Sequence, residues 1–209
     1  MHGRPMRKHR LVTAATCVVL AIASVPSFGA DWREGDIVFS GSTAGQGGAI
    51  IAATGSPYTH CGIVFLNDGK PMVLEAVQPV GVVSLETFKS RCKPGTFMAR
   101  RLKSAVTPAS YQSARTWAAA QIGKNYDPRF RWDDGNLYCS ELVWKIYQQA
   151  GVELCEPRRF RDYKLDDPKV KKIIAERYGD IGKMPMDEKV VAPSDLATSP
   201  LLAEIPPGS

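Results

Sequence analysis

The apolar residues of this chain fall into strand-length runs in its first half and helix-spaced stripes in its second. Residues 35–39, Gly-Asp-Ile-Val-Phe, read as a first strand after a turn. Residues 40–48 are small and glycine-rich, with no Lys-Ser/Thr to make a phosphate loop, and 49–54 read as a short helix. Ser56-Pro57 breaks the chain. A strand over 60–66, a hairpin turn at Asn67-Asp68-Gly69-Lys70 and a returning strand over 72–77 follow. A helical patch over 86–91 precedes another strand over 96–102. Thr107-Pro108 opens a helix with Tyr111, Ala114, Trp117, Ala118 and Ile122 apolar and Gly123 as its stop. After a polar loop, a second helix is predicted over 138–150 and a third over Pro168–Tyr178. Residues 184–209 are proline-rich and are expected to wrap the surface. Strands with helices set apart from the hairpin predict the α+β class, in a single domain over 30–209 with neither linker nor repeat.

The N-terminus belongs to a different pattern. Arg4, Arg7, Lys8 and Arg10 precede an uncharged apolar run over 11–23 and then Pro26, Ser27, Phe28, Gly29 and Ala30. That order predicts a secretory signal peptide over 1–29, cut after Gly29, with an exported, periplasmic or extracellular product. The alternative is an uncleaved anchor helix, for which the run is short. This segment changes the reading of charge. The 209-residue chain carries a formal charge of +6, which points toward a polyanionic partner. Residues 1–30 hold four of its 27 basic residues and none of its 21 acidic ones, so the remainder is nearly balanced. Nucleic acid is therefore not an expected partner. The basic runs at 158–161 and 169–172 lie among acidic residues and read as solvated faces. The same subtraction leaves one histidine, His60, and four cysteines, Cys61, Cys92, Cys139 and Cys155.

Three residues carry candidate chemistry. With Asn136 as the expected N-cap, Cys139 falls in the first turn of the second helix, where free N–H groups and the dipole favour a thiolate. It also heads the stripe Cys139, Leu142, Val143, Ile146 and Ala150, so a small buried cysteine is the competing reading. His60, at the start of a strand with Gly62 beside it, is the one side chain left whose ordinary pKa suits proton transfer near neutrality. Glu75 stands in an apolar strand and needs a partner. If Asn67 pairs with Lys70, Glu75 shares the His60 face, diagonally placed to orient the ring; a one-residue slip breaks this. The competing reading is an edge-strand carboxylate reaching solvent. Cys61 is expected to point away from the His60 face. A Cys92–Cys155 disulfide is open in an exported chain. No metal-ligand spacing is present, and neither metal nor organic cofactor is expected.

Gly35-Asp36-Ile37-Val38-Phe39, Tyr58-Thr59-His60-Cys61-Gly62, Leu74-Glu75-Ala76-Val77 and Tyr138-Cys139-Ser140-Glu141-Leu142-Val143-Trp144, in this order, resemble the YiiX/YaeF-type proteins. These are circularly permuted papain-like enzymes of the NlpC superfamily. The resemblance runs from about residue 32 to 203 and takes in Lys124-Asn125-Tyr126-Asp127 and Glu176-Arg177-Tyr178-Gly179. It implies a small antiparallel sheet or partial barrel with the cysteine helix packed beside it, Cys139 as nucleophile, His60 as base and Glu75 as the orienting residue. It further implies cleavage of an amide or related acyl bond through a thioacyl enzyme, in a peptide- or lipid-type substrate, with association to the cell envelope as an expectation. Cys61 departs from the small or hydroxyl residue expected after the histidine. A lipid acyltransferase or thioesterase using the same three residues, and a non-catalytic cell-wall or ligand-binding module, are the alternatives.

Overall fold

The computed structural model describes residues 31–206, so the predicted signal peptide, 1–29, lies outside the described residues. In chain order the elements are β1 (Ile37–Ser40), α1 (Gly47–Thr54), β2 (His60–Asn67), β3 (Lys70–Glu75), β4 (Gly81–Ser84) and α2 (Leu85–Ser90). They continue with β5 (Met98–Leu102), α3 (Pro108–Ala119), α4 (Cys139–Gln149), β6 (Arg158–Arg159), α5 (Pro168–Tyr178), β7 (Lys189–Val190), α6 (Pro193–Ala197) and β8 (Leu202–Glu204). Six strands form one antiparallel sheet in the order β4-β3-β2-β1-β5-β8. The sheet is open, an α+β architecture rather than a closed barrel.

The hairpin register follows from its turn. Asp68 and Gly69 both take positive φ, 49° and 75°, as a two-residue turn matched to strand twist requires. Asn67 therefore pairs with Lys70 and Ile63 with Leu74. Alternation then divides β2 between two cores. Cys61 and Ile63 face a cluster with Leu142, Val143 and Ile146 of α4, while Val64 packs with Phe88 of α2 on the opposite face. Nine residues of α4, Cys139 through Tyr147, are buried, so this helix sits inside the molecule rather than on its surface. Burying Leu142, Val143 and Ile146 contributes about 1.5–3 kcal/mol each against leaving them in water. A third cluster joins Ala49 of α1, Val170 and Ile174 of α5, Tyr138 and Phe160.

Three expectations are corrected. The segment beyond 184 does more than wrap the surface. It supplies β8 as an edge strand, and Val191, Leu196, Ala197 and Leu202 enter the main core. Its proline at 193 starts a short helix, where the missing N–H costs nothing. Cys92 and Cys155 do not pair: both are free, one packed against the α2 side of the sheet and the other against the α4 side. Asn136 is not the cap of the cysteine helix. Tyr138 takes the extended N-cap conformation, and its N–H donates to the Glu141 carboxylate at 3.4 Å.

Candidate active site

Cys139 is the first residue of α4, so its backbone N–H has no carbonyl one turn earlier to bond. The helix start is fixed on several sides. Ser140 donates its hydroxyl to the Val191 carbonyl at 2.6 Å, and the Val191 N–H donates to the Tyr138 hydroxyl. Lys145 bridges Glu141 at 2.8 Å and Asp134 at 2.8 Å. Burial pushes the Glu141 carboxyl up to about 8, against the pull of Lys145.

His60, Glu75 and Cys139 come together at the end of the sheet. His60 opens β2 and Glu75 closes β3, on the same face, as the register requires. Glu75 is fully buried, and its Oε2 lies 2.7 Å from His60 Nε2. That leaves Nδ1 for the Cys139 sulfur, which shares a side-chain hydrogen bond with the ring. β3 lies between β2 and β4, so the solvent-facing alternative for Glu75 does not hold. Gly62 lets β3 lie close against β2 beside this pair. A Cβ there would stand 2.5 Å from Val73 Cγ1 and 3.4 Å from Glu75 Cβ.

Two neighbours of this group were not legible in the sequence. Arg91, at the end of α2, donates to Glu75 Oε1 at 2.5 Å while covering Phe88, which also stacks on the His60 ring at 5.8 Å. Burial works to raise the Glu75 carboxyl, but hydrogen bonds from His60 and Arg91 outweigh it and hold the group below its ordinary value. The second neighbour is Cys61, which lies on the face expected for it. Cys61 does face away from His60, but α4 packs on that face, so its thiol meets the tip of the helix and bonds the Cys139 sulfur. His60 reaches the same sulfur from the end of its strand.

The electrostatics follow from these contacts. The hydrogen bond from the Cys61 side chain is the largest influence on Cys139. Burial opposes it, but the charge and hydrogen bond of His60 and the Cys61 backbone N–H add to it, and the thiol falls well below its ordinary value. Burial disfavours a charged His60, yet Cys139 and then Glu75 raise it from 6.5 to about 9. Cys61 itself is pushed well above the ordinary thiol range, first by burial and then by the Cys139 sulfur it bonds, so it stays a donor. The contacts lower the Cys139 thiol and raise His60, and so favour a thiolate beside an imidazolium over the neutral pair.

Cys139 opens on a cleft lined almost wholly by apolar and aromatic side chains from α1, α5 and the segments beside them, including Ile50, Phe130, Val170, Ile174 and Met184. Tyr138 lines it, whereas Tyr58 packs on Phe39 instead. Tyr126 reaches the same cleft because the two ends of its loop are laced together. Asp127 N–H donates to the Leu137 carbonyl and Leu137 N–H to that of Asn125. The Tyr126 oxygen accepts from Gln46 Nε2 at 2.6 Å, which leaves its own proton free. Burial and then the Cys139 charge raise the Tyr126 hydroxyl, so it too remains a donor in the cleft.

A histidine that precedes the cysteine along the chain, both set on an open antiparallel sheet with one buried helix, is the plan of a papain-like enzyme permuted in order. The chain belongs to the permuted papain-like amidase family, YaeF/YiiX, C92, whose model matches residues 31–205. It is 34% identical over 189 residues to the uncharacterized protein YiiX of Escherichia coli K12, covering 90% of this chain and 93% of that one. The crystal structure of YiiX from Escherichia coli O157:H7, described as a metalloprotein, superposes with a TM-score of 0.79 at 34% identity. The match covers 85% of this chain and 98% of that one.

Proposed function

We propose that this protein is an exported cysteine amidase that cleaves the amide, or a related acyl bond, of a lipid-type substrate whose acyl chain lies in the apolar cleft. The observation that carries the reading is a polarised thiol opening on a cleft with almost no polar lining. Membership of an amidase family supports the bond type. The apolar lining favours an acyl chain over a cell-wall peptide, whose amides and charges would find few partners there.

In this mechanism the Cys139 thiolate attacks the substrate carbonyl carbon. The oxygen takes up the displaced electron pair and is stabilised by the backbone N–H of Cys139 and the hydroxyl of Tyr126. The intermediate collapses, and the C–N bond breaks as the amine takes the proton held on His60 Nδ1. Neutral His60 then removes a proton from water. The resulting hydroxide attacks the thioester and releases the acid, restoring thiolate and imidazolium. Glu75 keeps Nε2 as the donor to itself, so Nδ1 is the nitrogen that exchanges protons. An amine or alcohol in place of water would make the same site an acyltransferase.

The description of the Escherichia coli O157:H7 relative as a metalloprotein raises the question of a metal here. Among the described residues, no three His, Cys, Asp or Glu side chains gather as a metal ion needs. The test is hydrolysis of a long-chain N-acyl amide, followed by mass spectrometry of both products. Wild-type protein is expected to release acid and amine, and folded Cys139→Ala to release neither. Equal turnover by that variant sinks the proposal.

A further inference from the structure

We propose that the cleft selects acyl substrates bearing an anionic group, a carboxylate or a phosphate, and that Arg177 is the residue that holds it. The inference rests on the reading of the cleft as an acyl site and names the second half of what it accepts.

Arg177 lies in the last turn of α5, where the apolar cleft meets a polar groove that Arg129, Arg131 and Lys183 also line. A guanidinium carries five N–H donors. Of these, Nη2 donates to Gln46 Oε1, and the guanidinium lies over the Phe130 ring, 5.0 Å from its centroid. Among the described residues no carboxylate forms an ion pair with it. The nearest acids are otherwise engaged: the two Asp127 oxygens accept the N–H groups of Arg129 and Arg131, and Glu176 stands 4.0 Å from Lys172. Burial weakens the charge, and Tyr126, Tyr178, Asp127 and Glu176 offset it only through space. A half-buried cation with donors to spare and no acid facing it is open to an anionic ligand. A carboxylate or phosphate takes two parallel N–H bonds from an arginine, which makes it the fitting complement.

The position specifies where on the substrate that anion sits. Gln46 bonds Arg177 with its oxygen and Tyr126 with its nitrogen. One side chain therefore separates the cation from a hydroxyl that shares the cleft with Cys139 and feels its charge. An anion held by Arg177 lies close to the scissile bond rather than at the far end of an acyl chain. An N-acyl amino acid, with its carboxylate two bonds from the amide nitrogen, and an acyl phosphate-headgroup lipid both satisfy this, and the chemistry they share is an anion near the acyl carbonyl.

The experiment uses the full mature chain carrying Cys139→Ala, which binds without turnover. Binding is measured by calorimetry, below micelle concentrations, for N-dodecanoylglycine, dodecyl phosphate and neutral N-dodecanoylglycinamide. At least one anionic probe is expected to bind about tenfold or more tightly than the neutral one, and the better of the two identifies the source of the anion. Adding Arg177→Gln is expected to erase that preference and Arg177→Lys to keep part of it, with thermal melts showing that both variants fold. Equal binding of charged and neutral probes, or a preference that survives Arg177→Gln, overturns the inference. Turnover by protein with Cys139 intact separates it from the reading beneath. If Cys139-dependent hydrolysis proceeds with no charge preference, the amidase stands and the role of Arg177 falls. Arginine-dependent anion binding with no acyl amide hydrolysed leaves the anion site standing and removes the amidase.

Discussion

Replacing Cys61 by alanine is expected to raise the pKa of Cys139 by about one unit. The Cys61 side chain is the largest influence holding the Cys139 thiol down. A hydrogen bond to a charged group contributes about 1.5–3 kcal/mol. A thiol is a weak donor, so the lower end applies, and about 1.5 kcal/mol corresponds to about one pKa unit. The backbone N–H of Cys61 also serves the sulfur and survives the substitution, so the shift is partial. Serine is the informative control, because its hydroxyl keeps a donor in the same place. The assay is the pH dependence of Cys139 alkylation by iodoacetamide, followed on the peptide that contains it, with all three proteins held well below their melting temperatures. Alanine should move the midpoint upward, and serine should leave it at or below the wild-type value. Midpoints that coincide for alanine and wild type, or that shift equally for alanine and serine, would refute a side-chain hydrogen bond as the cause.

Other outcomes follow from the same contacts. With His60 raised from 6.5 to about 9 and Cys139 lowered, the thiolate–imidazolium pair exists between the depressed thiol value and about 9. Accordingly kcat/KM for an acyl amide should rise as Cys139 ionises and fall as pH climbs past about 9; a profile still rising there contradicts the assignment. Glu75→Gln removes a charge that raises His60, so the alkaline limb should move down toward 6.5 and kcat/KM should drop by about tenfold or more. Asp36, fully buried, takes two bonds from Arg101, at 2.7 and 2.8 Å, and Asp36→Asn should cost about 2 kcal/mol in urea unfolding with the alkylation midpoint of Cys139 unchanged. Expressed with its natural N-terminus in a bacterium with a periplasm, the protein should be recovered outside the cytoplasm, beginning at Ala30 by intact mass; full-length cytoplasmic protein would refute export.

What could be read from the chain was what local rules determine. The turn Asn67-Asp68-Gly69-Lys70 sets the hairpin register, and a period of two then puts Glu75 on the His60 face. The helix carrying Cys139 was legible from its apolar stripe, but its cap lies two residues beyond the expected one. The signal was present, since Glu141 three residues after Tyr138 is the spacing of a carboxylate that reaches back to an N-cap. Alternation correctly sent Cys61 and His60 to opposite faces but could not say that α4 would settle against Cys61. Arg91, Gln46, Tyr126 and Arg177 come from four separate segments, and no spacing rule links them. Gln46, Tyr126 and Arg177 meet only because α1, α5 and the loop before α4 converge on one cleft. The proline-rich end does more than its composition suggests, because composition hides single buried residues such as Leu202 within it.

The most direct test of the account is to catch the acyl enzyme. Protein beginning at Ala30 is mixed with an activated long-chain acyl ester, quenched in acid within the first turnovers, and digested for mass spectrometry. The acyl group should appear as a thioester on Cys139, be absent from Cys139→Ala, and accumulate less in Glu75→Gln. An acyl group on Cys61, Cys92 or Cys155 instead, or hydrolysis of the ester with Cys139 never modified, would contradict the assignment of Cys139 as nucleophile.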